Sequence, residues 1–415
     1  MVKMDSNSLT KLYTEKLQGL KSAIDPQALQ ILKRLKESGF QAYLVGGGVR
    51  DLLVSLKPKD FDIATNALPN EVRKKVPYAF IIGRRFKLVH ARRGDQIYEI
   101  ATFRRAASAE ELETAESDER LFAEENFFGN IEEDSFRRDF TVNSLFYDPL
   151  AEVIVDHCQG LQDIESMTLR MIGAPIERLL EDPIRILRAI RLSQKLNFSI
   201  EPTLREAISQ LRHELKRGAA PRRREEWIKF FRLHHIELAL MELFDLGVFE
   251  SVLPTFHQLF NDNHKREEFL SYIRRIPLMG FNLADTNELF SAVLHAYLHV
   301  QFPNGFNVHD LCEDPAFIQL TRDELGVFKA ELAHYAQAAQ FISSLKKQES
   351  YLKKGERRQR AVVKHQTFLL SLKLGLLTHE FSAADFIFWI KEKEKFASEN
   401  LISEASEEIE ALPKK

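Results

Sequence analysis

At 415 residues the chain is too long for one ordinary domain, so two or three structural units are expected. With 44% apolar and 29% charged residues, and no apolar run near the roughly 18 residues that span a bilayer, it reads as a globular protein of the cytoplasm and not of the membrane. A net charge of −3 argues against a uniformly basic nucleic-acid binder, yet residues 73–105 are strongly basic and 109–134 acidic, so a local basic field survives.

The first 25 residues read as an N-terminal extension. Residues 26–38 carry Leu29, Ile31, Leu32 and Leu35 at helical spacing, closed by Gly39. QAYLVGG is a short strand that breaks at glycines, VRDLLVSL a helix starting near Val49, and FDIAT a second strand. NALPNEVRKKV predicts another helix, and FIIGRR, FKLVHARR and QIYEIATF three more strands. This alternation to residue 148 predicts an α/β head domain with a mixed sheet. Residues 106–126, acidic and without periodicity, predict a mobile loop. From residue 150 on, helical periods dominate without a fixed repeat, which predicts an all-α neck over 149–235 and an all-α body and tail over 236–415. Cys158 and Cys312 are far apart and outside any Cys-x-x-Cys, so neither a disulfide framework nor a zinc site is indicated.

LVGGGVRDLLVSLKPKDFDIAT, residues 44–65, sets three glycines and an arginine close to an Asp-x-Asp. On a strand, Asp60 and Asp62 project from one face, where two carboxylates can share divalent cations. Two metal ions held ~3.5–4 Å apart stabilise the attacking and leaving oxygens of a phosphoryl displacement, and Glu99 on a neighbouring strand is placed as the third ligand. Gly46, Gly47 and Gly48 let a backbone approach phosphate oxygens, with the positive end of the next helix behind them. The pattern is neither a dinucleotide fingerprint, because the third glycine would fall on Asp51, nor a P-loop, because no Gly-Lys-Ser/Thr follows.

GGGVRDLL…KPKDFDIAT resembles the signature of the class II nucleotidyltransferases, which include the tRNA CCA-adding enzymes and the bacterial poly(A) polymerases. EEDSFRRDFTVNSLFYD (132–148) resembles the second motif of that family, and EDPIRILRAIRLSQKLNFSI (181–200) the nucleotide-selecting one. The resemblance implies a nucleotidyltransferase head followed by an all-α neck, body and tail, with Mg2+ in a two-metal site on Asp60, Asp62 and Glu99 and ATP as substrate. It also implies that Arg50, Arg137, Arg138 and Asn143 contact the nucleotide, with Asp139 in the catalytic set. Asp182 and Arg185 would read the base edge, supported by Arg188 and Arg191. Read from the residues alone, Asp182 can equally be a helix N-cap with Pro183 in the first turn.

IIGRRFKLVHA (81–91) resembles the polyadenylating branch of the family, so the expected partner is an RNA 3′ end that receives AMP, with Arg84, Arg85 and Lys87 on the RNA. The rival within the family is a tRNA CCA-, CC- or A-adding enzyme; the rival outside it is a non-catalytic RNA-binding protein on the same fold. In the helical part, LKRGAAPRRREEW offers Lys216, Arg217, Arg222, Arg223 and Arg224 to an RNA backbone, because clustered cations displace its counterions. Trp227 reads as core before it reads as a base-stacking ring. His295 and His299 stand at i and i+4 and His309 precedes Asp310, but neither pair completes a metal-binding pattern.

Overall fold

The computed structural model describes residues 6–19, 21–83, 88–105 and 127–410. Arg84, Arg85, Lys87 and the acidic stretch 106–126 lie outside them. The chain divides into two compact units, residues 1–211 and 212–415.

In the first unit, helix α1 (Ser6–Gly19) precedes α2 (Pro26–Glu37). Asp25 caps α2 by accepting from Gln27 N at 2.7 Å with Pro26 in the first turn, and Ala28, Ile31, Leu32 and Leu35 make its buried stripe. Strand β1 (Ala42–Val45), helix α3 (Gly47–Leu53), strand β2 (Asp62–Thr65) and helix α4 (Pro69–Lys75) follow. Strands β3 (Ala79–Ile82), β4 (Leu88–Arg93) and β5 (Gln96–Thr102) come next, then the short pair β6 (Arg104–Arg105) and β7 (Phe127–Phe128). Helix α5 (Ile131–Phe136) leads to β8 (Phe146–Asp148) and β9 (Val153–Val155).

Seven strands form one mixed sheet in the order β3-β4-β5-β2-β1-β8-β9; only β2 and β5 run parallel. Helices α2 and α4 pack on one face. On the other face, Val45, Ala64, Phe103 and Phe146 form a small core with Tyr43, Ile131 and Val155 against it. The rings of Tyr43, Phe103 and Phe146 meet edge-on or tilted at 6.1–6.2 Å.

The strands expected up to residue 102 are present. The sheet continues to Val155, however, past the expected boundary at 148, and a parallel pair, β10 (Thr168–Leu169) with β11 (Ser199–Ile200), interrupts the stretch expected to be wholly helical. These strands are two or three residues long, so their pairing is set by tertiary contacts and leaves no local period to read. Helices α6 (Gly160–Glu165), α7 (Pro175–Glu181), α8 (Ile184–Leu196) and α9 (Pro202–Leu211) complete the unit.

In the second unit, all regular structure among the described residues is helical. Its core is aromatic, with Trp227, Phe230, Phe249, Phe256, Phe260 and Phe269 fully buried. Trp227 donates to Glu324 O at 3.1 Å, as a core residue must to satisfy its indole N–H.

Candidate active site

The glycine turn and the acidic pair are joined by packing. Gly46 caps α3 with φ +66°, a conformation glycine adopts without strain, and a Cβ there would touch Arg138 Nη1 at 3.4 Å. At Gly47 a Cβ would meet the Arg50 guanidinium at 3.4 Å. Gly48 is the tightest: a Cβ would come within 2.9 Å of the Asp60 carbonyl oxygen. The third glycine thus lets α3 lie directly on the backbone that presents the first carboxylate. α3 begins at Gly47, not near Val49, because Gly46 O already accepts from Arg50 N at 3.1 Å.

Asp62 opens β2, whereas Asp60 precedes the strand and is exposed. Strand alternation alone therefore does not align the two carboxylates. Glu99 comes from β5, which pairs in parallel with β2 through Ile63 opposite Ile100, so Glu99 stands beside Asp62 on the same face. The Asp62 carboxyl is pushed up to about 6, first by burial and then by the charges of Glu99 and Asp60, and pulled partway back by Arg138. Among the described residues no three His, Cys, Asp or Glu side chains are gathered closely enough to hold a metal ion as they stand. The donor set nonetheless suits a hard divalent cation: three oxygen-bearing side chains whose mutual repulsion is felt at Asp62 and would be relieved by positive charge between them.

The second motif surrounds this centre with fixed arginines. Asp134, buried on α5, accepts from Arg137 Nε at 2.9 Å and Arg138 Nη2 at 2.8 Å, and these guanidinium charges hold its carboxyl below the usual range despite burial. Arg138 also donates to Asn143 O at 3.3 Å and lies over the Phe146 ring. Asn143 bridges two further groups: its amide donates to Asp139 Oδ1 at 2.9 Å, and its carbonyl accepts from Arg50.

Two expected roles change here. Asp139, expected in the catalytic set, has its side chain about 10% exposed and accepts from Arg188 Nε at 2.9 Å, Asn143 and Phe140 N. Burial alone would raise its pKa, but Arg188 and these hydrogen bonds bring it down to about 2. An anion so fully engaged positions its neighbours and has no spare geometry for proton transfer. Arg50, expected on the nucleotide, is buried with Nε and Nη2 on Asp51 Oδ1 at 3.0 and 2.6 Å and its remaining nitrogen on Asn143, so it fixes the turn from beneath.

In the third motif, α8 begins at Ile184 with Pro183 at its N-cap, and Asp182, at the end of α7, accepts from Ile184 N at 3.2 Å through Oδ1 and so bridges the two helices. Arg185 pairs with Glu181 and donates to Arg178 O at 2.7 Å. Arg188 reaches back to Asp139, and Arg191 lies half-buried on the same helix. Three residues outside the expected set tie the motifs together. Asp51 accepts from Lys195 at 2.7 Å, joining α3 to α8, and Arg178 Nη2 donates to the carbonyls of Arg137 and Arg138 at 2.8 and 2.9 Å. Their signal was available, since Asp51 and Lys195 lie inside the first and third motifs and Arg178 stands three residues before the third, but a single charge has no period to mark its partner.

In the second unit, Arg224 does not fit the expected RNA contact: it is buried, donates to Glu331 at 2.6 Å and Gly326 O at 2.8 Å, and lies 4.0 Å from the Phe328 ring centroid. Arg223 spends Nη1 on backbone carbonyls including Leu215 O at 3.3 Å, whereas Arg222 is exposed. His295 is a buried core histidine bonded to Glu380 at 3.0 Å and Tyr335 at 3.3 Å.

Residues 42–170 match the family model described as the Poly A polymerase head domain, and residues 197–260 match the one described as the probable RNA and SrmB-binding site of polymerase A. The first two motifs, residues 44–65 and 132–148, lie inside the first of these matches. Among curated relatives, the Poly(A) polymerase I of Salmonella typhimurium is 40% identical over 243 residues, 58% of this chain and 52% of the relative. The CCA-adding enzyme of Lactobacillus helveticus is 36% identical over 226 residues, 54% of this chain and 55% of the relative, so the chain spans about half the length of the curated relatives it matches. The crystal structure of the Bacillus stearothermophilus CCA-adding enzyme in complex with CTP shares the fold with a TM-score of 0.65 at 22% identity, covering 90% of this chain and 83% of that one.

Proposed function

We propose that the protein is a template-independent RNA nucleotidyltransferase that adds AMP from ATP to RNA 3′ ends and releases pyrophosphate. The observation that carries this reading is the convergence of Asp60, half-buried Asp62 and Glu99, whose charges act on one another, beside the glycine turn of α3. Polyadenylation is favoured over CCA addition by the identity to Poly(A) polymerase I, 40% against 36% for the Lactobacillus helveticus CCA-adding enzyme.

Asp60, Asp62 and Glu99 would hold Mg2+, which when bound supplies Lewis-acid stabilisation to the attacking and leaving oxygens. The rest of the site acts by positioning and by charge. The turn at Gly46–Gly48 lets α3 pack directly on the Asp60 backbone and brings the start of the helix beside the carboxylates, where backbone N–H groups can meet triphosphate oxygens. Arg138, held on Asp134 and already felt by Asp62, offers positive charge at the junction of turn and carboxylates. The Asp139–Arg188 pair locks the second motif to α8, and Asp182 and Arg185 at the start of that helix read the base edge.

The test is primer extension with Mg2+ and each nucleoside triphosphate, alone or mixed, on oligo(A) RNA and on tRNA ending before CCA, after CC and after CCA. Long ATP-only ladders on oligo(A), lost in Asp60→Ala, are expected. Addition of two C and one A to the truncated tRNA, stopping there, would overturn polyadenylation in favour of CCA addition. No metal-dependent turnover of any nucleotide would overturn both.

A further inference from the structure

The sheet face that carries the carboxylates is covered on one side only. Toward β1, β8 and β9 it lies under the aromatic core; toward β3, β4 and β5 it exposes Phe80, Ile82 and Ile97 among His90, Arg92 and Glu99. Phe80 is 58% exposed, Ile82 46% and Ile97 56%, although α4 covers the opposite face of the same strands. The register shows what this patch adjoins. Phe80 stands opposite His90, His90 opposite Glu99, and Glu99 beside Asp62, so one row across four strands runs from an exposed aromatic ring to the acidic centre. His90 Nε2 lies 3.4 Å from Glu99 Oε1, and Phe80 is two strand spacings, ~10 Å, from Glu99. Ile82 and Ile97 flank the row, and Arg92, opposite Ile97, adds an exposed positive charge at its rim.

We propose that this surface docks the 3′-terminal bases of the acceptor RNA, with Phe80 as the stacking ring. The inference rests on the nucleotidyltransferase reading and names where the acceptor lies. A contiguous exposed apolar patch on an edge strand invites aggregation and marks an interaction site. An occupant here lies alongside the carboxylates, so it must carry the hydroxyl that they serve, flat π faces that stack on an aromatic ring, and a backbone that tolerates Arg92. A single-stranded RNA end has all three, whether it is oligo(A) or a tRNA acceptor.

The test uses the full chain and first asks whether wild type adds any nucleotide to any RNA; if it adds none, the underlying reading fails irrespective of Phe80. Given addition, Phe80→Ala should raise the KM for the acceptor roughly tenfold, leave the KM for ATP unchanged, and keep kcat at saturating acceptor. Phe80→Leu should recover only part of the loss. An acceptor with 2-aminopurine as its last base should be quenched on binding to wild type and much less on binding to Phe80→Ala. Because Phe80 is exposed, both variants should keep the wild-type Tm. Unchanged acceptor KM and unchanged quenching in Phe80→Ala would overturn the proposal. So would a concentration-dependent dimer that Phe80→Glu dissolves without weakening RNA binding, since the patch would then join two copies of the chain.

Discussion

Gly48→Ala is the change that most directly tests the link between the glycine turn and the acidic pair. The added methyl would lie 2.9 Å from the Asp60 carbonyl oxygen and 3.5 Å from Phe61 Cδ1, where ordinary contact begins at 3.4 Å. The nearer atom is backbone, so no side chain can rotate away, and the Asp60 segment must move by about 0.5 Å. Since a misplacement of ~1 Å can cost about a hundredfold in rate, half of it predicts roughly a tenfold fall in kcat. Overpacking of this size should also cost about 1–3 kcal/mol of stability. The assay is nucleotide addition at saturating ATP and acceptor, with Tm measured on the same sample. Gly355→Ala is the control: its φ is −65° and nothing lies within 4 Å of its Cβ position, so rate and Tm should be unchanged. A Gly48→Ala protein with wild-type kcat would refute the claim that this contact sets the position of Asp60.

Arg224→Ala strands Glu331 in the second unit and should cost about 3–5 kcal/mol in urea unfolding, whereas Arg222→Ala, at an exposed side chain, should cost far less and lower the salt slope of RNA binding by about one where Arg222 meets a phosphate. Asp139, held at about 2, contributes stability that is fully present above its ordinary carboxylate pKa and is lost as pH falls toward 2. Asp139→Asn should therefore remove roughly 2 kcal/mol of the difference in unfolding free energy between pH 7 and pH 2. Asp62 has the opposite sign: its pKa is raised, so the metal-free fold is penalised as pH rises through about 6. Asp62→Asn should raise the Tm of the metal-free protein at pH 7.5 while abolishing nucleotide addition, and a lowered Tm there would contradict the repulsion assigned to the cluster.

The parts of this protein that were legible in the sequence are those with a local cause. The stripe of α2, the strands through residue 102 and the spacing from Gly46 to Asp62 follow from periodicity, glycine and the two-residue repeat of a strand. The parallel β2–β5 pairing that sets Glu99 beside Asp62 is non-local, yet Glu99 could be chosen because an acidic residue on a neighbouring strand was required. Arg224 was misread because a run of three arginines looks solvated; its partners, Glu331 and Phe328, lie over 100 residues further on. The role of Asp139 was not legible because a carboxylate within a motif is chemically ambiguous until its neighbours are known, and here Arg188 and Asn143 engage it.

The engaged arginines fix the shape of the candidate site through pairings within the fold. Arg50, Arg137, Arg138, Arg185 and Arg188 each pair with a carboxylate: Asp51, Asp134 for two of them, Glu181 and Asp139. An unpaired cluster of five guanidinium groups would repel itself and scatter over many rotamers, and binding would have to restore order at an entropic cost. Pairing sets each planar fork in one orientation before any ligand arrives. The acidic centre is treated in the opposite way: among the described residues only Glu99 of its three carboxylates has a basic side chain in contact, His90 at 3.4 Å, and Asp62 bears the repulsion of its neighbours. Positive charge is therefore neutralised and fixed in advance, whereas negative charge is left concentrated. That asymmetry fits the cation-dependent transfer proposed above, in which the stabilising positive charge arrives with the substrate and is not supplied beforehand by the fold.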